Sequence, residues 1–85
     1  MHTIYKYPIQ ITDRQIIELP NHSKIVHVGL DPEGNPCLWA EVDTDEYGFL
    51  ELILFVVGTG RPTPPATTHL GSFVQGSFVW HVYRR

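Results

Sequence analysis

KIVHVGL (residues 24–30), DPEG (31–34) and CLWAEV (37–42) make up the stretch on which the fold turns. In the first run Val26, Val28 and Leu30 alternate with Ile25 and His27. In the last, Leu38, Ala40 and Val42 alternate with Cys37, Trp39 and Glu41. A period of two puts successive side chains on opposite faces of an extended chain. Between the runs Pro32 suits the second position of a type I turn, and Gly34 accepts a positive φ. The stretch predicts a β-hairpin.

Working outward, Thr3 to Ile9 sets Tyr5, Tyr7 and Ile9 against Ile4 and Lys6. Gln15 to Leu19 reads as strand rather than a helical turn, because six residues between Asp13 and Pro20 are too few for a stable helix. Phe49 to Val57 and Phe78 to Arg84 carry large apolar groups on both parities, the mark of strands covered on both faces. Pro62-Thr63-Pro64-Pro65 excludes a helix and leaves a single helical turn for Ala66 to Leu70. At 85 residues the chain has room for one core. The expectation is one β-rich domain over 1–85: a small antiparallel sheet of six or seven short strands, curled as a barrel or sandwich.

Charge and cysteine content exclude several functions. Nine acidic against six basic residues leave a net charge of −3. That balance speaks against duplex nucleic acid as a partner, because phosphate neutralisation by Lys and Arg supplies most of that affinity. The single cysteine, Cys37, excludes an internal disulfide and a paired-cysteine zinc site. MHTIYKYPIQ (1–10) has no secretory pattern, and the apolar run at Phe49 to Val57 is too short for a bilayer helix. An intracellular, reduced setting without a membrane partner is expected. Two doubly apolar strands in so short a chain, with open sheet edges, predict a homo-oligomer.

Val57-Gly58-Thr59-Gly60-Arg61-Pro62 is the segment best suited to a ligand. Two glycines around a threonine let successive N–H groups converge on an anion, Thr59 adds a hydroxyl, and Arg61 adds a planar cation. It matches neither a Walker A nor a Rossmann loop, and the two glycines also suit a plain strand end. Gly58, Thr59, Gly60 and Arg61 are taken as the phosphate side of a site, with Trp39, Trp80, His81 and Tyr83 as stacking groups. His2, His22, His27, His69 and His81 lack metal-ligand spacing, so no metal is expected. Ser23, Ser72 and Ser77 lack a nucleophile motif and Cys37 has no histidine nearby in sequence; no catalytic residue or cofactor is expected. Asp43, Asp45 and Glu46 read as a solvated hairpin tip.

TIYKYP (3–8), IELP (17–20), LWAEVD (38–43), GTGRP (58–62) and FVWHVY (78–83), in this order, resemble a family of small proteins encoded by bacteriophages and prophages, a domain of unknown function. The resemblance implies a phage origin and the cytoplasm of an infected bacterial host, and brings no catalytic residues with it. It makes the expected function that of a non-enzymatic counter-defence binder, a homo-oligomeric sponge for a small anionic nucleotide-type signal. The alternatives are a protein inhibitor that covers a host defence enzyme through Asp43, Asp45, Glu46 and Tyr47, or a minor virion or assembly component.

Overall fold

A computed structural model describes residues 1–85 and contains seven strands and no helix. Strands β1 (His2–Pro8), β4 (Pro36–Asp43) and β3 (Lys24–Leu30) form one sheet in the order β1-β4-β3. Strands β2 (Gln15–Pro20), β5 (Phe49–Gly58), β7 (Phe78–Arg84) and β6 (Thr68–Gln75) form a second in the order β2-β5-β7-β6. Every pairing is antiparallel. The sheets lie face to face around one core, in which Leu38, Ala40 and Val42 of β4 join Leu52, Leu54 and Val56 of β5. Leu19, Val28, Phe73 and Val82 complete it from the flanking strands. Each fully buried Leu contributes roughly 1.5–3 kcal/mol.

The expected 31–34 turn forms between β3 and β4. Gly34 N–H donates to the Asp31 carbonyl at 2.9 Å, Asp31 N–H to the Asn35 carbonyl at 2.8 Å, and Gly34 takes φ 85°. This is a three-residue loop closed by a type I turn and a left-handed glycine. The Asp31 carboxylate accepts from the Glu33 and Asn35 N–H groups at 3.0 and 2.9 Å, which fixes the loop.

Of the two closures expected, the sandwich is present and the barrel is not. No ladder joins the edge strands of one sheet to those of the other. Strands β3 and β6 meet instead through side-chain packing: a Cβ on Gly71 would lie 3.1 Å from Val28 Cβ. The helical turn expected at 66–70 is also absent. Ala66 takes φ 56°, Thr67 Oγ1 donates to the Pro64 carbonyl at 2.7 Å, and β6 begins at Thr68.

Strict alternation fails in β3, where the register shifts between Ile25 and His27. Ile25 and Val28 both face the core opposite Ala40 and Leu38, while Val26 is exposed. Strand β5 is central but covered on one face only. Phe49 and Glu51 on its other face are exposed, and Ile53, Phe55 and Val57 are half-buried. The Arg85 guanidinium lies 4.9 Å above the Phe55 ring.

Candidate ligand-binding cleft

The end of β5, the start of β7 and the loop after β1 enclose a cleft of about 1010 Å³. The loop is held against β5 by Val56 N–H donating to the Thr12 carbonyl at 3.3 Å. On β7, Phe78 and Trp80 share a parity and stack, with ring centroids 5.7 Å apart and planes 23° apart. Trp80 pairs with Gly58 across the ladder, where a Cβ would stand 3.4 Å from its ring. That is ordinary van der Waals contact, so the indole packs closely over the backbone at Gly58. The Trp80 indole N–H is buried without a hydrogen-bond partner.

Gly58, Thr59, Arg61 and Trp80 all line this cleft, together with Ile11, Thr12, Asp13, Ser77 and Phe78. The anion nest expected of the loop does not form. Thr59 N–H donates to the Val79 carbonyl at 3.3 Å and Arg61 N–H to the Gly58 carbonyl at 3.1 Å. With Gly60 at φ 90°, residues 58–61 make a type II turn that uses two of its own amides. The exposed Arg61 guanidinium is what the loop offers an anion.

The other expected site residues lie elsewhere. Gly60 sits at the tip of the turn, outside the lining. Trp39 is on the outer face of the three-stranded sheet, where its ring centroid lies 5.4 Å from that of His27. His81 and Tyr83 share the outer face of the four-stranded sheet. There His81 Nε2 meets Thr59 Oγ1 at 2.8 Å, and His81 Nδ1 meets Ser72 Oγ at 2.7 Å. Ser72 Oγ in turn lies 3.1 Å from His69 Nε2. The His69 ring stands edge-on to Tyr83 with centroids 5.2 Å apart.

Sequence reasoning missed Asp13, Phe78, His69 and Ser72 as site residues. Phe78 carried a signal, since it shares a parity with Trp80. His69 and Ser72 carried none, because a bulge between His69 and Gly71 is what brings residues three apart onto one face.

A smaller hollow of about 440 Å³ is lined by Lys6, Asp31 and Cys37 among others. The Asp31 carboxylate, 3 % exposed, pairs with Lys6 Nζ at 3.0 Å. The Asn35 N–H, and then the Lys6 ammonium, hold the Asp31 carboxyl below the usual carboxylate range, and Asp31 in turn raises Lys6. Burial, reinforced by Asp31, pushes the Cys37 thiol up. These groups answer one another and act as structure. At the acidic tip Asp43 and Asp45 hold the Met1 ammonium at 3.2 and 2.6 Å, while Tyr47 is 91 % exposed. No three His, Cys, Asp or Glu side chains stand at metal-binding spacing. No helix is long and apolar enough to cross a membrane.

Fold and cleft together define a small two-sheet, all-β protein with an aromatic cleft at one end of its larger sheet. The chain belongs to the family described as domain of unknown function DUF7352, which matches residues 1–85. That match agrees with the expected membership of an uncharacterised family and carries no indication of phage origin. No curated protein and no solved structure matches the chain.

Proposed function

We propose that this protein is a non-enzymatic binder that assembles from identical copies and sequesters a small anionic nucleotide-type ligand. Its main support is that one cleft brings together the Phe78–Trp80 stack and the free guanidinium of Arg61. Aromatic faces take up nucleobases through stacking worth about 1–3 kcal/mol per base. A guanidinium suits phosphate through its fork of donors. Asp13 on the same rim repels bare phosphate but accepts from hydroxyls, which favours a ribose-bearing ligand. The buried, unpartnered indole N–H of Trp80 costs about 1–3 kcal/mol. Rotation of the ring toward a ligand acceptor would recover that cost.

The cleft is open on one side, so a second copy is the expected cover. The resemblance to small phage-encoded proteins supports a counter-defence setting in the cytoplasm of an infected bacterium, with an immune signal as the ligand. Calorimetric titration against cyclic di- and trinucleotides and ADP-ribose derivatives is the test. The expected result is binding of one ligand class, weakened about tenfold or more in Arg61→Ala, in line with charge-assisted bonds of 1.5–3 kcal/mol. Flat responses across the panel, or unchanged affinity in the variant, reject the site. A stoichiometric host protein recovered through the exposed Tyr47 surface would favour the inhibitor alternative instead.

A further inference from the structure

The outer face of the four-stranded sheet carries a hydrogen-bonded series, His69, Ser72, His81 and Thr59, of which Thr59 alone also lines the cleft. Its direction follows the His81 tautomer, and the Thr59 hydroxyl also lies 3.5 Å from the Val79 carbonyl, at the outer limit of a hydrogen bond. In the tautomer protonated at Nε2, Thr59 Oγ1 accepts from His81 Nε2–H at 2.8 Å. His81 Nδ1 then keeps its lone pair and accepts the Ser72 hydroxyl hydrogen at 2.7 Å. His69 Nε2–H donates to Ser72 Oγ at 3.1 Å, and every donor has one acceptor. This is the tautomer in which His81 can act as a base toward Ser72.

We propose that Ser72 is a reactive nucleophile, with His81 as its general base and Thr59 as a positioning residue, that takes up one acyl group from an activated carboxylic ester. A hydroxyl within reach of a base, itself held by a third group, is the arrangement that activates serine. Ser72 is exposed and open to an ester, while His81 is half-buried and held at both nitrogens. The bulge in β6 is the kind that re-aims side chains beside reactive sites.

In the step, Ser72 Oγ bonds to the ester carbonyl carbon as its proton passes to His81 Nδ1. The bond from that carbon to the leaving oxygen then breaks. The leaving alkoxide or phenolate carries off the bonding electron pair and takes the proton from His81, restoring the neutral imidazole. Thr59 is neutral where serine hydrolases place a carboxylate, so the imidazolium lacks a counter-charge. Good leaving groups are therefore required, and the product is an acyl-serine formed once per chain, compatible with a binding protein.

The probe is p-nitrophenyl acetate, followed by p-nitrophenolate release, intact mass and peptide mapping. The expected result is a single acetyl group on Ser72, absent in Ser72→Ala. His81→Gln slows Ser72 acetylation by about 100-fold or more, the usual share of a general base. Thr59→Val slows it and alters its pH profile, a readout that loss of packing alone would not give; this variant also serves if His81→Gln does not fold. Acetyl groups confined to amines and imidazoles, with Ser72 untouched, overturn the proposal. So does an equal Ser72 rate in the folded His81→Gln protein.

Discussion

Asp31 shows how one side chain can hold a loop, an ion pair and a pH dependence together. Its carboxylate accepts two backbone amides and faces Lys6, and its folded pKa is lowered. A lowered carboxylate stabilises the fold at every pH above its unfolded value, near 4, and that contribution is lost as pH falls through the folded value. Asp31→Asn keeps an acceptor for the amides but removes the charge. Acid titration followed by circular dichroism should show a shallower loss of stability below about pH 4 in this variant. Asp31→Ala removes the acceptor as well and should melt lower than Asp31→Asn at neutral pH. Nearby Cys37 is 1 % exposed and its thiol is pushed up. An aromatic disulfide reagent should leave it unmodified in the native protein and react once denaturant is added.

At the scale of elements, the contact between β3 and β6 depends on a missing side chain. A methyl on Gly71 would press on the buried, β-branched Val28, which has little room to yield. Gly71→Ala should destabilise by about 1–2 kcal/mol in urea unfolding, the usual range for overpacking. Adding Val28→Ala should then cost less than it does in the wild type, a coupling that a double-mutant cycle measures. The elements themselves were largely legible in the sequence, because turn chemistry and alternation are local. Asp31, Pro32 and Gly34 announced their hairpin, where Gly34 takes φ 85°. What escaped was set by distant partners. No glycine or proline marked the register shift near Val26, so Ile25 was assigned to the wrong face. The Thr59 amide looked free because its acceptor, the Val79 carbonyl, lies twenty residues away in sequence.

For the molecule as a whole, the unexplained surface is the outer face of the four-stranded sheet. Ile16 pairs with Ile53 across β2 and β5, Phe49 is 66 % exposed at one end, and Val74 and Val79 lie at the other. In the proposed assembly copies of the chain would cover the β2–β5 part of this face, Ile16, Phe49 and Ile53, and leave Ser72 on β6 open. Light scattering across a concentration series should report a mass above that of one copy, falling toward it in the double variant Ile16→Thr, Phe49→Ser. A single-copy mass at every concentration would sink the assembly. The sequence revealed that β5 is apolar on both parities; which parity met the other sheet depended on a strand order that no local pattern encodes.

The two indoles lie on separate layers, Trp39 outside the three-stranded sheet beside His27 and Trp80 against the cleft. Their fluorescence is therefore separable by substitution. With Trp39→Phe the remaining emission comes from the cleft and should be quenched by a stacked purine. With Trp80→Phe it comes from the opposite layer, beside the His27 ring 5.4 Å away, and should not respond to a ligand in the cleft. Occupancy of the cleft can thus be followed optically, against an internal control, without attaching a dye.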